Sequence, residues 1–146
     1  MRINENNFST ASKVIFNNIA ENINLPKKRK KEEFEEQKAL VQWLCLKKIP
    51  HFAIPNGGRR NLQEAKKLKI SGVRPGVSDL FIMVPNKYHA GLFIEMKKQK
   101  NGEISEDQEQ FIEQAIELGY CAVACNGWDE AKELTEKYLK TARKYY

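Results

Sequence analysis

The sequence lacks any run approaching the roughly 18 consecutive apolar residues that a membrane span requires. Its first residues, "MRINENNFSTASKVIFNN", hold no apolar stretch long enough for a secretory signal. A membrane or secreted class is therefore not expected, and a cytoplasmic one is. Cysteines number three, an odd count without a CxxC pair, which argues against a disulfide framework and for reduced thiols. Cys121 and Cys125 suit one apolar strand, "YCAVAC", better than a zinc site. Only two histidines occur, His51 and His89, too few for a histidine-based nuclease motif, so both read as structural. No internal repeat is present.

What is there is the material of one domain: 146 residues, 41% hydrophobic and 30% charged. The net charge of +6 is unevenly spread. Residues 1–31 carry 7 basic and 2 acidic groups, residues 32–94 carry 10 and 6, and residues 95–146 carry 8 and 11. A basic first half and a mildly acidic second half suggest a polyanionic partner on one side.

Residues 1–31 are Asn-rich, then basic ("NLPKKRKK"), and read as a polar arm or linker ahead of a folded domain over 32–146. In that domain "EEFEEQKALVQWLCLK" places Phe34, Leu40, Val41 and Leu44 at helical spacing. A short strand, "HFAIPNGG", follows, then a basic helical segment, "RRNLQEAKKLKISG". "GVSDLFIMVP" and "LFIEMKKQ" read as two strands around the turn "NKYHAG". "SEDQEQFIEQAIELG" carries a helix signature, with Ser105 as N-cap, Gln108 three residues on, and Gly119 at the stop. The strand "YCAVAC" and the helix "DEAKELTEKYLKTARKYY" close the chain. This order implies an α/β (α+β) fold with helices packed on a sheet.

A short connection makes the middle strands an antiparallel pair. With Val84 opposite Gly91, Asp79 falls opposite Met96, beside Glu95 and Lys97. Alternation puts Glu95 and Lys97 on one face and Met96 on the other, toward the core. Neighbouring carboxylates repel unless a cation lies between them, and oxygen ligands suit Mg²⁺ or Mn²⁺. The same spacing serves equally for a cross-strand ion pair. Glu33 or Glu36 in the first helix could add a third carboxylate, or simply complement the helix dipole.

"SD", fifteen residues and "EMK" together resemble the PD-(D/E)XK nuclease motif. The wider match is to its VRR-NUC branch, found in phages and bacteria. It runs through "EFEEQKALVQWL", "HFAIPNGGRR", "AKKLKISGVRPGVSDLFI", "GLFIEMKKQKNGEISEDQ" and "LGYCAVACNGWDEA", roughly residues 32–132. The resemblance implies a restriction-endonuclease-like core, a mixed central sheet flanked by helices in αβββαβ order. It implies a Mg²⁺- or Mn²⁺-dependent DNA endonuclease, homodimeric and selective for branched DNA such as Holliday junctions. Asp79 and Glu95 would be metal ligands, with the Met96 carbonyl as a third; Lys97 would be the catalytic lysine. Glu33 would be the first-helix acid, with Glu36 as fallback, and Gln108 falls where the family has a glutamine near the site. Arg59, Arg60, Lys66, Lys67, Lys69 and Arg74 would contact phosphates. The chain departs from the pattern at Ser78, where the family has a proline. The alternative is a nucleic-acid-binding module of nuclease-like fold that does not cut.

Overall fold

The computed structural model describes residues 33–55, 62–98 and 102–142. The basic arm, Arg59 and Arg60 lie outside the described residues. The elements are α1 (Glu33–Leu46), β1 (His51–Ala53), α2 (Leu62–Ile70), β2 (Leu80–Ile82), β3 (Leu92–Lys97), α3 (Glu106–Glu117), β4 (Cys121–Asn126) and α4 (Trp128–Leu139). This is the order expected from the sequence. The strands form one mixed sheet, β1-β2-β3-β4. Pairs β1–β2 and β2–β3 are antiparallel, and β3–β4 is parallel because α3 supplies the crossover that parallel neighbours require.

Alternation divides the sheet into two faces. On one, Leu80, Ile82, Leu92, Ile94 and Met96 are fully buried and form one core cluster with Leu40 and Leu44 of α1 and Ala131, Leu134 and Tyr138 of α4. Each such aliphatic side chain contributes roughly 1.5–3 kcal/mol by leaving water. Met96 anchors the core, as its position opposite Glu95 and Lys97 in the alternation predicts. On the other face, Phe52, Phe81 and Phe93 are register partners across β1, β2 and β3. There α3 packs over β4, and Phe111 meets Phe93 edge-on at 5.1 Å.

Two expectations need correction. Phe34 belongs to the predicted apolar stripe of α1 but is 69% exposed. At 3.6 residues per turn it lies about 120° around the helix from Leu40, whereas Glu33 and Glu36 lie within about 40° of it. The inward side of α1 therefore carries two carboxylates ahead of its leucines. The second correction is the β2–β3 register. The expected pairing puts Leu80 opposite Glu95, but the structure puts it opposite Ile94, one residue away. The connection between β2 and β3 is a loop rather than a tight turn. Asn86 Oδ1 accepts from the N–H groups of Tyr88 and His89 at 2.8 and 2.7 Å, and its Nδ2 donates to the Tyr138 carbonyl. Turn geometry thus does not set the register; matching of apolar faces does. The observed pairing puts Asp79 level with Glu95 and on its face.

Candidate active site

Glu95 and Lys97 lie at the end of β3, an inner strand of the sheet, and both are buried, at 2% and 7% exposure. Asp79 stands one residue before β2, and its Oδ2 accepts from the Met96 N–H at 2.8 Å. The strand that carries Glu95 therefore also orients Asp79. Glu33, on the first turn of α1, reaches the same end of the sheet. One carboxylate oxygen from each of Glu33, Asp79 and Glu95 lies within 4.8 Å of the others.

Gln108 closes the other side. Ser105 caps α3 reciprocally with Gln108: the Gln108 N–H donates to Ser105 Oγ, and Gln108 Oε1 accepts from the Ser105 N–H at 3.0 Å. The same Oε1 accepts from Lys97 Nζ at 2.8 Å, and Gln108 Nε2 donates to Glu95 Oε1 at 2.5 Å. Lys97 Nζ also lies 3.1 Å from Glu95 Oε1. A helix cap thus doubles as the brace between the lysine and the carboxylate.

Burial, then the neighbouring Asp79 carboxylate, push Glu95 up from the ordinary 4.5 to about 7. The hydrogen bond and charge of Lys97 oppose this, and Glu33 adds a smaller push. Burial also raises Asp79, against the Met96 N–H and Lys97. Glu95 Oε2 is buried without a hydrogen-bond partner among the described residues. A buried carboxylate that leaves one oxygen without a donor and has two further carboxylates close by is a configuration that a proton or a cation relieves. The donor set is all oxygen, which fits a hard divalent cation.

The remaining sequence candidates are placed differently. Glu36 is fully buried and is not one of these three clustered carboxylates; its Oε2 accepts from the Trp128 N–H at 2.7 Å. Trp128 opens α4, whose N-cap is Gly127 with no side-chain cap of its own. Glu36 supplies that cap from another helix, which gives the fallback acid a structural task. Removing it leaves a partly buried N–H unmet. Glu36→Ala is expected to lower unfolding free energy by about 2 kcal/mol in urea titration while preserving any cation-induced stabilisation. Loss of that cation response would return Glu36 to the site.

Arg74 is held by α3: its guanidinium donates to Gln114 Oε1 and lies over the Phe111 ring, 5.8 Å from the centroid. The loop it belongs to touches the start of α3. Gly76 has φ +79°, and a Cβ there would sit 2.2 Å from the Asp107 carbonyl oxygen. This contact fixes the approach to Asp79 and needs glycine. Ser78 is fully buried and its Oγ has no partner among the described residues. Lys66, Lys67 and Lys69 are exposed on α2, which buries none of its residues. β1 and β2 are antiparallel with Ala53 opposite Leu80, so the excursion carrying α2 leaves and returns at the Asp79 end of the sheet. The roles of Glu36 and Arg74 carried no local signal. Each depends on a partner far along the chain.

The family model of the VRR-NUC domain matches residues 18–129. The match begins within the segment read as an arm. A solved structure described as a "VRR_NUC domain protein" is similar to the chain, with 29% identity and a TM-score of 0.69 over 78% of this chain and 93% of that one. No curated protein matches the chain.

Proposed function

The chain belongs to the VRR-NUC domain family, and on that premise we propose that it is a divalent-cation-dependent DNA endonuclease. The observation that carries this reading is the convergence of Glu33, Asp79 and Glu95, with one Glu95 oxygen left without a hydrogen-bond partner among the described residues and the Lys97 ammonium beside Glu95. Asp79 and Glu95 would hold the cation, with Glu33 and the Met96 carbonyl completing the set. Bound there, Mg²⁺ or Mn²⁺ would polarise a phosphodiester and make nearby water a better nucleophile.

The protein groups have distinct tasks. The Met96 N–H keeps Asp79 turned toward Glu95. Gln108 holds Lys97 Nζ through Oε1 and Glu95 through Nε2, so neither side chain is free to rotate away. An ammonium has three N–H groups, and the one not engaged by Gln108 and Glu95 can donate to a phosphate oxygen as negative charge builds on it. Lys66, Lys67 and Lys69 would take up backbone phosphates on the approach to the site, with Arg59 and Arg60 on the same excursion. Such contacts position a duplex without reading its sequence.

The reading extends to branched DNA. A four-way junction has two-fold symmetry, and a homodimer would present two sites related the same way. Incubation with duplex, flap and four-way substrates side by side, in Mg²⁺ or Mn²⁺, tests both levels. Cleavage with preference for the four-way substrate is expected. Cleavage of duplex alone would remove the structural selectivity, and salt-sensitive binding without cleavage in either cation would leave a non-cutting binding module.

A further inference from the structure

We infer that the aromatic face beside the acidic cluster is a stacking site for unpaired nucleobases, with Phe52 as its contact residue. This rests on the nucleic-acid reading above and adds the part of the strand that the site would recognise. Phe52, Phe81 and Phe93 form one row across β1, β2 and β3, with ring centroids 5.5 and 4.5 Å apart. Phe111 extends the row at 5.1 Å, and the Arg74 guanidinium lies over Phe111. The rings are tilted 57° and 40° to one another and Phe111 stands edge-on to Phe93, so they back and brace the exposed Phe52 ring, whose own face is the surface on which a base can stack.

Position ties the row to the cluster. Phe81 follows Asp79 by two residues and Phe93 precedes Glu95 by two, so each ring shares its acid's face about 7 Å away along the strand. That is roughly the separation of neighbouring nucleotides in an extended single strand, so a strand whose backbone is drawn past this end of the sheet by the α2 lysines would bring a neighbouring base over this face. Exposure singles out Phe52, at 47%, while Phe81, Phe93 and Phe111 are only partly accessible. The charge is complementary as well. The segment that follows Phe52 carries the exposed Lys66, Lys67 and Lys69 of α2 and returns at Asp79, so a polyanion is drawn to this end of the sheet. Phe81 also leans across Gly91, where a Cβ would lie 2.4 Å from its Cζ, so that ring is held in place before any ligand arrives. A Phe52 ring seated on it is preorganised at little entropic cost.

The test is binding in EDTA by the full chain, with three probes of equal length: a single strand, the same strand with abasic sites, and the paired duplex. Wild type is expected to bind the intact strand about tenfold more tightly than the abasic one, and Phe52→Leu and Phe52→Ala to lose that preference. Phe52→Tyr keeps the ring and should keep the preference. Duplex affinity and duplex cleavage should stay unchanged in all three, and a melting temperature unchanged in Phe52→Leu separates stacking from folding. Equal affinity of wild type for intact and abasic strands would overturn the inference. So would a Phe52→Leu loss shared equally by the duplex, or self-association of wild type that this variant abolishes, which would put a second copy on the face. Failure of the nuclease reading would look different: no cleavage by wild type in any divalent cation, with the EDTA comparison unaffected.

Discussion

Asp79→Asn is expected to reduce DNA cleavage by about three orders of magnitude, equivalent to roughly 4 kcal/mol of lost transition-state stabilisation, without unfolding the protein. The asparagine carbonyl can still accept the Met96 N–H that Asp79 Oδ2 accepts at 2.8 Å, so the local backbone has reason to stay. What disappears is one of the three carboxylate charges that lie together there. Removing that charge also relieves the repulsion that raises Glu95, so stability in EDTA should hold or increase. Lys97→Ala should lose activity on a similar scale for another reason. The ammonium that faces Glu95 and Gln108 goes, and with it the donation to a reacting phosphate proposed for it. Paired steady-state cleavage and thermal melting in EDTA check both variants. Full activity in both would refute the assignment of the site, and lost activity accompanied by a collapsed melting temperature would reduce it to a folding effect.

The second large effect is a pH-dependent stability that a divalent cation reverses. Folding raises the Glu95 carboxyl from 4.5 to about 7. Between those values the native state holds a proton that the unfolded chain has released, so stability is greatest below about 4.5 and falls as pH climbs to about 7. The full span amounts to on the order of 3 kcal/mol. For a chain of this size that is about 10 °C in melting temperature. Asp79, also raised by burial, acts in the same sense. His89, lowered by burial, acts in the opposite one, losing stability on acidification. The informative quantity is therefore the difference between wild type and Glu95→Gln, which lacks the titrating group. In EDTA that difference should favour the glutamine variant increasingly from pH 5 to pH 8. Excess Mg²⁺ or Mn²⁺ should restore wild type at pH 8, have little effect at pH 5 where protons compete for the same oxygens, and leave Glu95→Gln unmoved. Parallel pH profiles for the two proteins would show that Glu95 carries no such strain.

Much of this site was legible in residues close together in the chain. Alternation along "LFIEMKK" put Glu95 and Lys97 on one face and Met96 in the core, because the side-chain period of a strand is two whatever surrounds it. Ser105 and Gln108 announced a capping box, because both halves of that motif lie within one helical turn. The element order, the antiparallel middle pair and the family resemblance followed from the same local signals. The tertiary structure decided what depends on distant partners. It set the β2–β3 register one residue from the expected pairing, because a loop tied to α4 by Asn86 replaces the tight turn and apolar face matching takes over. It separated Glu33 from Glu36, which the sequence left as alternatives, by giving Glu36 the orphan N–H at the start of α4 and leaving Glu33 at the sheet end. It drew Arg74 onto Gln114 and Phe111. It also turned Gln108 from a cap into a brace, since only packing of α3 beside β3 brings its amide to Lys97 and Glu95. Local periodicity determines which face a side chain shares; which groups meet on that face is decided by contacts between elements, and no short stretch of sequence encodes those.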